Sequence, residues 1–74
     1  MSTIRKTFGR TIRRRREKLN LSQEQLAELA DIHRTYVSSI ELGKVTAGIE
    51  VLYKIATALK TPLSKLIREA ERKL

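Results

Sequence analysis

Arg34, Thr35, Ser38 and Ser39 lie within the stretch HRTYVSSIELG, residues 33–43, and their types and spacing suit the reading of base edges in DNA. A guanidinium can grip guanine O6 and N7 bidentately, and a threonine can bond a base edge or set its methyl against that of thymine. If Val37 and Ile40 are pinned inward, the 3.6-residue period turns these four side chains outward, near the start of a helix. Amides at the start of the preceding helix, with Gln23 beside them, would then sit against phosphate.

Such a surface needs two short helices joined by a tight turn. In LSQEQLAELA, residues 21–30, Ser22 can cap and Gln25 can reach back to it, ahead of an apolar face of Leu26, Leu29 and Ala30. Ala27 is the small residue that allows a close crossing, and Asp31 takes the turn position that needs an unusual backbone angle. The next helix spans 34–42, and Gly43 supplies its exit. This pattern is a helix-turn-helix.

Around it the chain reads as all-α, one compact domain over residues 1–74 with five helices. The first runs over about 3–18, with Ile4, Phe8, Ile12 and Leu19 inward, and ends at Asn20, which tolerates left-handed backbone. The fourth covers 49–59 and buries Leu52, Ile55, Ala56 and Leu59. Pro62 occupies the first turn of the fifth. The apolar positions Leu63, Leu66, Ile67, Ala70 and Leu74 are more than one face of a small domain needs, so Leu66, Ile67, Ala70 and Leu74 are expected at a homodimer seam.

Composition narrows the function. Sixteen lysines and arginines against eight acids give the 74 residues a formal charge of +8. Residues 1–20 hold eight of the basic residues and only one acid, Glu17, so they carry +7 of it. That asymmetry points to a polyanionic partner. There is no cysteine and His33 is the only histidine, which leaves no metal-ligand set, disulfide or thiol nucleophile. Glu17, Glu24, Glu28, Glu69 and Glu71 are scattered and form no acid/base pair. No enzyme, cofactor or small-molecule ligand is expected. No apolar run reaches the roughly 18 residues of a membrane span, and no signal-peptide pattern opens the sequence; a cytoplasmic location is expected.

The four consecutive arginines at 13–16 cannot share one helix surface, and Arg16 is the one expected to face inward. His33 stands at an N-cap position, as a cap or phosphate neighbour. Tyr36 lies near the DNA face, where it contacts backbone or packs under the helix, and Ser38 is a further backbone contact.

LSQEQLAELADIHRTYVSSIELG resembles the helix-turn-helix of the lambda-repressor-like (XRE-type) family, and FGRTIRR with HRTYVSSIE is most similar to the controller proteins of restriction-modification systems. The resemblance covers residues 8–67. It implies a compact five-helix fold and a regulator that binds double-stranded DNA at a palindromic operator as a homodimer, activating at one occupancy and repressing at another. By position it implies that Gln23 contacts phosphate, that Arg34, Thr35 and Ser39 face bases, and that Arg16 pairs with Glu41. Two residues depart from the family pattern. Asp31 stands where a turn glycine is usual, and Val45 where several controllers place a base-reading arginine, leaving Lys44 or Thr46 as substitutes. Within the class the rivals are a phage-type repressor and the DNA-binding antidote of a toxin pair. Outside it, a basic amphipathic module on anionic membrane or acidic protein would suit the first helix alone, but the capped helix-turn-helix spacing argues against it.

Overall fold

The structure is a computed structural model and describes residues 3–74. Five helices follow in chain order, with no strand among the described residues: α1 (Thr3–Lys18), α2 (Gln23–Ala30), α3 (Arg34–Glu41), α4 (Ile49–Ala58) and α5 (Leu63–Arg72). The main pairings close a ring, α1 on α5, α5 on α4, α4 on α2, α2 on α3 and α3 back on α1. The radius of gyration of 10.8 Å is near the roughly 11 Å of one packed unit of this length.

Local chemistry sets the helix ends. At the start of α2 the Gln25 N–H donates to Ser22 Oγ at 3.0 Å, and the Ser22 N–H donates to Gln25 Oε1 at 2.8 Å, a complete capping box. Pro62 is the N-cap of α5, one position ahead of the first turn. Four exits share one geometry. Asn20, Asp31, Gly43 and Lys60 have φ of 59°, 57°, 72° and 58°. The residue after each donates five positions back: Leu21 to Arg16 O (3.1 Å), Ile32 to Ala27 O (3.0 Å), Lys44 to Ser39 O (2.9 Å) and Thr61 to Ala56 O (3.1 Å). These paired bonds satisfy carbonyls that a helix end would otherwise strand. Left-handed backbone costs a residue with a Cβ about 1 to 2 kcal/mol, a strain borne at Asn20, Asp31 and Lys60.

The core is built from Ile12, Leu26, Ala27, Ala30, Val37, Ile40, Ile55, Ala56, Leu59, Leu66 and Ala70. Several inward expectations are corrected. Ile4, Leu19 and Leu29 are exposed, and α1 instead buries Thr7, Gly9, Thr11, Ile12 and Arg16. The Thr7 and Thr11 hydroxyls donate to the carbonyls of Thr3 (2.8 Å) and Thr7 (2.9 Å), so they enter the interior already satisfied. On α2 the small Ala27 faces in, which turns Leu29 out, 62% exposed.

Leu66 and Ala70, expected at a dimer seam, are 0% exposed in the single chain. They belong to the monomer core and offer no surface to a partner. Ile67 and Leu74 do remain exposed, as do Ile49 and Tyr53 on α4.

Candidate nucleic-acid interface

Val37 and Ile40 lie in the core and fix the rotation of α3. Arg34 and Thr35 are exposed at its start, while Ser38 and Ser39 are half-buried on the same outward side. Tyr36 is half-buried and packs against the core. His33 is the N-cap, but its side chain makes no capping hydrogen bond. One further residue joins this surface. Leu42 is 54% exposed and continues the row of Thr35 and Ser38 at the helix end. A search for polar side chains passes over it; its position seven residues after Thr35 is the signal that finds it.

The far end of α3 is tied to α1 and α2 through one carboxylate. Arg16 Nε donates to Glu41 Oε2 at 2.7 Å and Arg16 Nη2 to Oε1 at 3.1 Å. Gln23 Nε2 donates to the same Oε1 at 3.0 Å, and Arg16 Nη1 to Leu21 O at 2.8 Å. The side chains of the ion pair are only 10% and 2% exposed. The hydrogen bond to Glu41 is the largest influence on Arg16, raising its pKa against the cost of desolvation. The guanidinium therefore stays charged, and the stability contributed by its raised pKa is lost only on the strongly basic side. Gln23 is thereby held at the first turn of α2, next to the amides of the helix start.

Two glycines let α1 lie directly on the end of α3. A Cβ at Gly9 would stand 2.4 Å from Ile40 O and 2.5 Å from Glu41 O, and one at Gly43 would stand 2.8 Å from Lys6 Cα. After α3 the chain exposes Lys44 and Thr46, and the Thr46 hydroxyl accepts from Arg5 Nη1 at 3.3 Å. Among the described residues no group of His, Cys, Asp and Glu could hold a metal ion, and no helix is long and apolar enough to cross a membrane.

A helix-turn-helix family model matches residues 12–66, from the middle of α1 to α5. The chain is 41% identical over 73 residues to control protein C.MunI of Mycoplasma sp, covering 97% of this chain and 99% of that one. The chain belongs to the helix-turn-helix family, in its control-protein branch. It is also 44% identical over 59 residues to control protein C.BamHI of Bacillus amyloliquefaciens, covering 78% of this chain and 73% of the relative. The crystal structure of the restriction-modification controller protein C.AhdI from Aeromonas hydrophila superposes with a TM-score of 0.81 at 36% identity, over 82% of this chain and 92% of that one. As a member of this family the chain is a DNA-binding transcription regulator and not an enzyme.

The two departures from the control-protein pattern have structural consequences. Asp31 takes the left-handed turn with φ 57°, so the control-protein fold forms here without the usual glycine. Val45 is half-buried against the core. Its side chain is spent on packing, and the loop of this control protein presents Lys44 and Thr46 instead.

Proposed function

We propose that this control protein regulates a restriction-modification gene set in the cytoplasm, binding a roughly palindromic operator as a homodimer with one α3 in the major groove at each half-site. The observation that carries this reading is the start of α3, where Arg34 and Thr35 stand exposed on a helix whose opposite side is locked by Val37, Ile40 and Glu41. The likeness to C.AhdI, a restriction-modification controller protein, supports the circuit. Arg34, Thr35 and Ser39 read base edges, and Leu42 offers an apolar contact to a thymine methyl. Gln23, His33, Ser38, Lys44 and Thr46 hold the phosphate backbone, and Tyr36, with its ring packed inward, adds its edge.

Footprinting on DNA upstream of its own gene, followed by Arg34→Ala, tests the reading. Operator binding is expected to weaken by about 1 to 3 kcal/mol, with preference lost at one base pair per half-site. An equal loss on operator and random DNA would reduce Arg34 to a phosphate contact.

One recognition helix reads too few base pairs to select an operator, which is the reason for two subunits. The seam draws on apolar side chains that the monomer leaves open: Ile67 on α5, Leu74 just beyond its end, and Ile49 and Tyr53 on α4, each of the latter pair 66% exposed. Analytical ultracentrifugation is expected to give a dimer at micromolar concentration. Ile67→Asp or Tyr53→Asp, both at exposed positions, should yield folded monomers that bind a half-site weakly. A parent that is monomeric both free and on DNA would sink the dimer.

A further inference from the structure

α1 carries Lys6, Arg10 and Arg13 at i, i+4 and i+7, a single row along the helix. With Glu41 and Leu42 at the end of α3 these three line a surface hollow of about 280 Å³. The row is set there by backbone packing, since α1 crosses the end of α3 at Gly9 and meets Gly43 at Lys6. The one carboxylate of α3 in the hollow, Glu41, is nearly fully buried and engaged by Arg16 and Gln23, so it does not neutralise the row. Glu41 thus lines the hollow and, through Oε1, also holds Gln23 at the start of α2. Arg13 also meets Glu17 at 3.2 Å, but both side chains are more than half exposed. Such a surface pair is weak and readily exchanged for another anion.

We infer that Lys6, Arg10 and Arg13 form a phosphate-binding row, which grips the DNA strand bordering the end of α3 and prolongs the contact made at the start of α2. This rests on the reading that α3 enters the groove. The ligand chemistry is the phosphodiester oxygen, so the row adds affinity without sequence preference. It also gives the positive charge of α1 a direction: the arginine run as a whole does not face DNA, only the row turned toward α3. A second hollow, where Lys65, Arg68, Arg72 and Lys73 outnumber the single acid Glu69, belongs to a helix whose main partners are α1 and α4. It serves as a matched control.

The test compares Lys6→Gln/Arg10→Gln with Arg68→Gln/Arg72→Gln, which removes the same charge elsewhere. Each protein is titrated with a duplex from upstream of its own gene and with a random-sequence duplex over a range of salt. The α1 double variant is expected to flatten the slope of log affinity against log salt by about 3.6 for a bound dimer, roughly 0.9 for each of the four phosphate contacts its two subunits lose, equally on both duplexes. The α5 variant should keep the parent slope. Equal flattening by the two variants, or an unchanged slope for the α1 variant while the parent binds, overturns the row. A parent that binds neither duplex overturns the groove reading along with it. Acylation of Lys6 in the parent checks the contact without substitution: DNA should protect Lys6 and leave Lys73 reactive, and equal reactivity with and without DNA would refute it.

Discussion

Glu41→Ala is expected to lower the unfolding free energy by about 3 to 5 kcal/mol, and Arg16→Ala by a similar amount, because either change strands a buried charge without its partner. A chain of this length has a total stability of about 4 to 11 kcal/mol, so either variant is left marginal, with Tm reduced by at least about 15 °C. The loss at Glu41 reaches further than the pair, since the carboxylate also accepts from Gln23 Nε2. The double variant should be less damaged than the sum of the singles, because no lone charge remains. Urea titrations of the four proteins measure both effects. A single variant that melts within a few degrees of the parent would show that solvent relieves the stranded group.

Gly9→Ala has the second largest expected effect, and its sign runs against intrinsic helix preference. Alanine in a helix interior is favoured over glycine by about 1 kcal/mol. Here the added methyl would meet the backbone carbonyls of Ile40 and Glu41 at 2.4 and 2.5 Å, atoms that no rotamer change can move. α1 and α3 must separate, at a cost of about 3 kcal/mol or more. Gly48→Ala is the control, since a Cβ there has nothing within 4 Å; it should shift stability by less than about 1 kcal/mol. Thermal melts of the two variants give the comparison, and a Gly9→Ala protein as stable as its parent would mean that α1 and α3 do not cross in direct backbone contact.

Both variants bear on what a single sequence reveals. Features governed by neighbours in the chain were legible: the Ser22–Gln25 capping box, the helix exits at Asn20, Asp31 and Gly43, and the rotation of α3 set by Val37 and Ile40. Features governed by distant partners were not. Thr7 and Thr11 look like surface residues until their hydroxyls are seen returning to their own helix, and only the approach of α3 shows why position 9 is glycine. Leu66 and Ala70 read as seam residues in the sequence because the ring closure of α5 on α1, which covers them within the monomer, leaves no mark in local periodicity. Lys60 carries no turn signal of its own, yet it takes a left-handed exit just ahead of Thr61 and Pro62. In the candidate site, the outward start of α3 was legible and the seven-residue step from Thr35 marks Leu42, whereas the selection of Lys6, Arg10 and Arg13 from a longer basic run required the packing of α1 on the end of α3.

The brevity of α3 bears on time. Eight residues, little more than two turns, would be mostly coil in isolation; here the helix is held at one end by Glu41 and along its inner side by Val37 and Ile40. The surface is therefore assembled before any DNA arrives, and no refolding step stands between collision and docking. Arrival is then governed by the field of a strongly positive chain, which draws a polyanion in quickly and does so less as salt rises. Changes at the residues proposed to read bases are expected to act mainly on how long the protein stays.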